Sequence, residues 1–576
     1  MSKENTEYME NFDLPIYYSS GKCSLKPNII EDLELVKTKE DTCSSIYSFV
    51  FEKENIFVEQ LIPKISKYYT TDQTFLNDSQ CLLTKYNRND EIVCHSILYK
   101  DMYALWNEIK TDNNFTDKYY YIGWEPYKFL NNSEHFLQIM SVYNILSPLI
   151  ALFTPIIILI IPFIILNFKG ITINISEYIK ILRCISQNHC IGKIFVDFNS
   201  IELKDKIYIL VSVILYVFSM YQNINKCITF NNNMIKIHNY FEHIKKYLKH
   251  TIDEMRNFLA YATELKSYFV FNKVLTSQMI KLEEIYNKLL NISNYQINVN
   301  KIFEIGSILK TFYELYENKE YNYAITYSFG FNGYVSCIQD IKLKIENKNL
   351  GFAKFIKSKN KNKFKNSYYG PLVNLPHIKN TISLKNNIII SGPNASGKTT
   401  ILKTLLINII LSQQFGCGFY SKAVLSPYKF IHSYLNIPDT SGRDSLFQAE
   451  SRRCKEIIDS IKNNKKETHI CIFDELFSGT NVREAEVSSI SCMDYIAKYK
   501  NVTCLLTTHL ENVCKKLDEH NLIENFHMES KKIENERNRQ IQHLYKLKKG
   551  ISYVEGGLQV LSDLNFPQEI INSIKI

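Results

Sequence analysis

The chain has 576 residues, 45% of them hydrophobic and 22% charged. That length admits several domains, and the apolar share excludes a chain that is largely disordered. Lys and Arg number 68 against 59 Asp and Glu, a net +9 that permits an anionic partner without requiring one. The 14 cysteines include no C-x-x-C pair. Cys184, His189 and Cys190 come nearest to a metal constellation but lack the paired spacing of a zinc site. The thiols therefore read as reduced, small hydrophobes of a reducing compartment. The opening Met1-Ser2-Lys3-Glu4 is polar and carries no secretory signal.

Residues 1–142 mix polar and aromatic residues and contain no motif with a nameable chemistry. Within them Phe57-Val58-Glu59 belongs to the run Ile56–Pro63, which reads as one face of a helix. Ile145 to Leu166 are 22 residues without a charge, long enough to cross a bilayer. Pro148, Pro155 and Pro162 recur in it every seven residues. A second uncharged run, Ile207 to Tyr221, has 15 residues and meets the length rule only marginally. A membrane hairpin over 143–222 is expected, with an amphipathic helix near Ser176–Ile185 between the two runs. Lys and Arg are not biased to one side, so they assign no orientation.

Residues 223–368 show helical periodicity, as in Met234–Leu248 and Gln278–Leu290. From Lys354 to Lys365 six lysines alternate with Ser, Asn and Phe, a stretch expected to be a solvated linker or a phosphate-contacting loop. Beyond it strands alternate with helices, which predicts a parallel sheet and an α/β domain over 369–576.

The chemistry concentrates in that last third. The β-rich run Asn387–Ser391 leads into Gly392-Pro393-Asn394-Ala395-Ser396-Gly397-Lys398-Thr399, followed by a helix from Thr400. Strand, G-x-x-x-x-G-K-[ST] and helix in this order describe a P-loop. Its backbone N–H groups and helix N-terminus suit phosphates. Lys398 is positioned for β/γ-phosphate oxygens and Thr399 for Mg²⁺, which implies ATP and Mg²⁺ as cofactors. Thr468–Glu475 is an apolar strand ending in two carboxylates, Asp474 for the metal and Glu475 for the attacking water. Asn501–His509 is another, ending in a His placed to sense the γ-phosphate.

Several further details resemble the ATPase domain of the MutS mismatch-repair family over residues 369–576. They are Gly392-Pro393-Asn394, Ser445-Leu-Phe447-Gln-Ala-Glu450, Asp474-Glu-Leu-Phe-Ser-Gly-Thr-Asn481, Thr508-His509, and the closing Tyr545–Ser552, Gly556–Val560 and Phe566–Ile571. The resemblance implies that Ser445 reaches the γ-phosphate held by a partner subunit, that the closing helix serves dimerisation, and that Pro376-His377-Ile378 packs on adenine. It departs from the family at Ala395-Ser396, where Met-Gly is usual, at Phe477-Ser478, where Gly-Arg is usual, and at His377, which replaces a Phe. The family's mismatch wedge has no counterpart beyond the Phe57 triplet.

Two readings follow. One is a MutS-like ATPase, dimeric and membrane-associated, that couples ATP to DNA binding. The other is a membrane-anchored ATPase of the same fold acting on protein or lipid. In both, the ATPase faces the cytosol, where ATP is. A transporter half is disfavoured because Ser445–Glu450 stands where an L-S-G-G-Q-like signature is needed and the spans are too few.

Overall fold

A computed structural model describes residues 8–40, 42–52, 54–87, 95–170, 173–188, 203–293, 303–358, 361–435, 437, 445–519, 523–535, 538–554 and 566–567. In chain order the helices are α1 (Pro27–Asp32), α2 (Ile56–Ile65), α3 (Gln73–Lys85), α4 (His95–Thr111), α5 (Phe115–Lys118), α6 (Glu134–Phe168), α7 (Ile175–Asn188) and α8 (Leu203–Ala262). They continue with α9 (Phe269–Leu290), α10 (Ile305–Glu317), α11 (Lys319–Glu346), α12 (Lys398–Phe415), α13 (Leu446–Asn463), α14 (Val482–Ala497) and α15 (Glu511–Asp518). The strands are β1 (Lys22–Ser24), β2 (Tyr68–Thr70), β3 (Gly351–Phe355), β4 (Lys363–Ser367), β5 (Asn380–Ser383), β6 (Asn387–Ser391) and β7 (Cys417–Gly418). Then come β8 (Lys422–Leu425), β9 (Phe430–Tyr434), β10 (His469–Asp474), β11 (Val502–Thr508), β12 (Ile523–Asn535) and β13 (Asn538–Lys549).

The chain divides into two compact units built from non-contiguous stretches. One takes Met1–Tyr99, Thr251–Ile280 and Ile325–Ile576; the other takes Lys100–His250 and Lys281–Ala324. The second unit is helical. Its centre is aromatic: Phe115 stacks on Tyr316 at 3.8 Å and tilts against Phe312, and the Tyr121 hydroxyl donates to the Leu309 carbonyl at 2.7 Å. Gly306 lets α10 approach α6, since a Cβ there would lie 2.4 Å from the Glu134 carbonyl oxygen.

Two helices of this chain revise the boundaries expected from sequence. The 145–166 run lies inside the 35-residue α6, and α8 runs unbroken for 60 residues from Leu203 to Ala262. No break separates the 207–221 run from the periodic stretch after 223, because a change from apolar to amphipathic composition does not interrupt backbone hydrogen bonding. Most of the apolar residues with described side chains in these runs are exposed, Ile160 at 47% and Leu215 at 60% among them. By length and composition both helices can cross a bilayer.

The first unit carries the antiparallel pair β1-β2 and two larger sheets. The larger has order β13-β12-β6-β11-β10-β9; β12, β6, β11, β10 and β9 are mutually parallel, and β13 closes one edge antiparallel. All residues of β6 and β11 are buried, as expected for parallel strands covered on both faces. Phe473, Leu506, Met493, Ile457 and Val513 join β10, β11, α14, α13 and α15 in one core. The smaller sheet has order β5-β4-β8-β3-β7. Its β3 and β4 take up both ends of the lysine-rich stretch expected as a linker, which is strand at Lys354–Phe355 and at Lys363–Lys365. Phe364 and Ala353 point inward and the lysines outward, a period of two that the sequence reading had not used.

The Phe57 triplet lies on α2. Phe57 and Val58 are fully buried and the Phe57 ring stacks on Phe329 at 4.8 Å, so this is core packing. Of the Cys184, His189 and Cys190 set, His189 and Cys190 lie outside the described residues. Among the described residues, no group of three or more His, Cys, Asp or Glu could hold a metal ion.

Candidate nucleotide site

The site grows from the carboxyl ends of β6, β10 and β11, which are neighbours in register: Thr508 lies beside Ser391, and Asp474 beside Thr507. In open α/β sheets ligands gather at such ends. After β6 the chain turns through Gly392–Gly397 into α12. Gly397 has φ 92° and sits before the first helical turn, a left-handed position that a side chain would strain. A Cβ there would also lie 3.1 Å from the Tyr545 ring. Ala395 adopts a similar backbone at φ 62° without being glycine.

Lys398 opens α12 and is almost fully buried. Its ammonium donates to the Gly392 and Pro393 carbonyls at 2.9 and 3.1 Å and stands 3.5 Å from Glu475 Oε1. Burial pushes the Lys398 pKa down, and the neighbouring Glu475 and Asp474 oppose that. The Thr399 hydroxyl donates to Asp474 Oδ2 at 2.7 Å, while the Thr507 hydroxyl holds Oδ1. His509 Nδ1 is 3.4 Å from Glu475 Oε1. The His509 hydrogen bond and the Lys398 charge hold the Glu475 carboxyl below its usual range, against desolvation. Glu475 is therefore the ionised form at neutral pH, as an acceptor needs to be.

A cavity of about 690 Å³ opens beside this cluster, lined by Asn394 to Ile401, Thr404, Glu475, Pro376, His377 and Ile378. It is of the size that small-molecule sites occupy. The lining also includes Tyr368, Tyr369 and Met528, which the sequence does not single out, and Tyr545, which the sequence gives only as the start of the closing element. The His377 ring stacks on Tyr368 at 4.2 Å, and its Nδ1 lies 2.8 Å from the Leu375 carbonyl oxygen. Tyr545 is brought over the loop by β13, whose backbone Asn380 clamps from both sides: Asn380 donates to the Tyr545 carbonyl and accepts from Leu547 N–H. No spacing rule links Tyr545 to a loop 150 residues earlier; the β13–β12–β6 pairing and the Asn380 clamp do.

The donor set suits a phosphate and a hard cation. Among the described residues the Ser396 hydroxyl oxygen, buried in the loop, has no hydrogen-bond partner, and a helix N-terminus and an ammonium flank it. The Thr399 hydroxyl and the Asp474 carboxylate are the oxygen ligands that Mg²⁺ prefers.

Ser445 lies apart from the cavity lining. It caps α13, accepting from Gln448 N–H at 3.3 Å while Gln448 Oε1 accepts from Ser445 N–H. Gly442–Asp444, Gly556–Val560 and Glu569–Ile571 lie outside the described residues, so the closing helix is not placed. Glu450, buried on the same helix, accepts from Ser478 N–H, Ser478 Oγ and Gly479 N–H at 3.1, 2.8 and 3.1 Å. It thus fixes the turn that follows Glu475. In that turn Phe477 has φ 61°, which gives the departure from Gly a physical meaning: a bulky residue occupies a left-handed position.

The fold and site define an α/β sheet domain with a glycine-rich anion loop, a paired-carboxylate strand end and a strand-end histidine. A family model described as MutS domain V matches residues 388–575. Over this C-terminal third the chain is similar to the MutS family. Similar proteins include DNA mismatch repair protein Msh3 of Dictyostelium discoideum, 29% identical over 210 residues, covering 34% of this chain and 14% of that protein. DNA mismatch repair protein MutS of Clostridium perfringens is 28% identical over 191 residues, 33% of this chain and 20% of that protein. Human MutS protein homolog 4 is 30% identical over 195 residues, with 33% and 20% covered. The chain thus spans a fifth or less of the length of these relatives.

Proposed function

We propose that residues 369–576 form an ATP-binding and ATP-hydrolysing domain that acts as a dimer and couples its cycle to DNA binding. The observation that carries this reading is the meeting of Lys398, Thr399, Asp474, Glu475 and His509 at three adjacent strand ends beside the cavity. In this reading Gly392 to Thr400 wrap the phosphates, Lys398 neutralises them, and Thr399 with Asp474 holds Mg²⁺. Glu475 orients the attacking water, and His509, already on Glu475, reports the γ-phosphate. His377 and Ile378, backed by Tyr368, form the wall for the base. Ser445 serves the partner subunit's nucleotide, which its position away from the cavity lining of its own chain supports. Residues 223–368 act as a shortened lever, and 1–142 keep an unassigned role.

The names of the relatives support DNA as the partner, and the coverage of a fifth or less leaves mismatch recognition itself to be tested. The test is direct. Lys398→Ala should abolish ATP binding, whereas Glu475→Gln should bind ATP and turn over at least about 100-fold more slowly. Wild-type turnover by Glu475→Gln would refute the assignment of the base.

A second reading has its own observation, the exposed apolar lengths of α6 and α8. It makes the protein a membrane-anchored ATPase, cytosolic at its ATPase face, acting on protein or lipid. A turnover rate that responds to liposomes and not to DNA would favour it; a rate that responds to DNA alone would remove it.

A further inference from the structure

From Asn347 to Pro438 the sequence carries 13 Lys and no Asp, Glu or Arg. The fold gathers part of this excess on one surface. In the five-stranded sheet Ala353, Phe364, Ile382 and Ala423 face the core, and Lys354, Lys363, Lys365 and Lys422 are exposed on the opposite face. Lys365 is paired directly with Lys422, and Lys354 and Lys363 flank Val424 on either side. Strand spacing puts Lys354 and Lys363 about 10 Å apart, and Lys363 and Lys365 about 7 Å apart.

Like charges directly opposite in a sheet are destabilising, and charged faces are ordinarily relieved by carboxylates. None of the sheet's five strands contains one, and none of the four lysines pairs with a carboxylate among the described residues. The relief therefore has to come from outside the sheet. We infer that this face docks on the phosphodiester backbone of DNA. The remaining outward residues are small and polar or half-buried, Thr381, Ser383 and Val424 among them, and no large apolar side chain on these strands is exposed. A bilayer-seeking surface combines basic residues with exposed apolar ones. A polyanion needs only the lysines, whose flexible stems follow phosphates without regard to base sequence.

The inference rests on the DNA-binding part of the proposed function and assigns it a surface. The test uses the full chain, a random-sequence DNA duplex, and the variant Lys354→Gln/Lys363→Gln/Lys365→Gln/Lys422→Gln beside its all-Arg counterpart. The expected result is at least a tenfold weaker complex at low salt for the Gln variant. The slope of log affinity against log salt should fall by about 3 to 4. The Arg variant should keep both and melt with the wild type, and the Gln variant, relieved of like-charge repulsion, should melt no lower than either. Wild-type affinity and slope in the Gln variant would overturn this surface and leave the proposed function standing. No DNA binding by the wild-type chain at low salt would overturn both. Lysine-dependent binding to phosphatidylserine vesicles without DNA binding would show that the face was assigned the wrong polyanion.

Discussion

Strand β11 and helix α6 are both long apolar runs, and their surroundings differ completely. In β11 all seven residues are buried between helices and neighbouring strands. In α6 Leu149, Phe153, Ile157, Ile160, Ile161 and Ile164 remain 43–52% exposed. Full burial of such a side chain contributes about 1.5–3 kcal/mol. Leaving six half-exposed therefore forgoes several kcal/mol, a large part of a domain's net stability of about 5–15 kcal/mol. The sheet solves its hydrophobicity within the chain. The helix leaves it exposed, and this difference is the observation behind the proposed membrane-anchored reading.

The largest effect should come from the sheet side. Phe473, fully buried on β10 just before Asp474, should cost about 3–5 kcal/mol as Phe473→Ala, read from the midpoint of urea unfolding of the full chain. Ile160→Ala, at the exposed position, should leave that midpoint unmoved. If both variants cost the same, the contrast between buried and exposed runs is wrong. Next in size is Ile160→Asp, because a carboxylate at the centre of a span costs about 2.5–3.5 kcal/mol. It should shift the chain from the membrane pellet to the supernatant by about 100-fold in partition. An unchanged partition would show that α6 does not contact lipid.

A smaller effect tests the turn after β10. Glu450→Gln removes the charge from an acceptor of three hydrogen bonds, each worth about 1.5–3 kcal/mol when charged. Stability should fall by about 1–3 kcal/mol and turnover with it, since the Phe477 backbone at φ 61° is held by those bonds. Full turnover at reduced stability would separate the turn from the chemistry.

How much of this was legible before the fold was known depended on whether a feature was local. The loop Gly392–Thr399, the carboxylate pair and Thr508-His509 each lie within one strand end and its loop, so spacing alone found them. Their convergence also followed, because parallel strands bring their carboxyl ends together. Tyr368, Met528 and Tyr545 escaped, since their place beside the loop depends on pairing between distant strands and on the Asn380 clamp. The strand residues within 354–365 read as linker because outward lysines dominated the composition and hid the inward Phe364 and Ala353. The boundary expected at 222 was compositional, and α8 passes through it.

The smallest effect distinguishes the sheet interior by pH. His432 and His469 face each other on adjacent strands, Nε2 to Nδ1 at 3.1 Å, and His469 Nε2 lies 3.1 Å from the Asn464 carbonyl oxygen. Burial, with the neighbouring His469 and Lys26, pushes His432 down to about 3, and burial lowers His469 too. The His432 ring is thus neutral when folded and protonates in the unfolded chain near pH 6.5, and the His469 shift runs in the same direction. The unfolded state binds more protons below that value, so this contribution is fully present above pH 6.5 and is lost as pH falls toward 3. At pH 5.5 the loss from His432 alone is about 1.4 kcal/mol. His432→Phe, beside the already stacked Phe430, should remove that share and flatten the acid limb of stability between pH 7.5 and 5.5. An acid limb as steep as wild type would mean that the pair is charged or solvated in the folded sheet, against the burial that sets this region apart from α6.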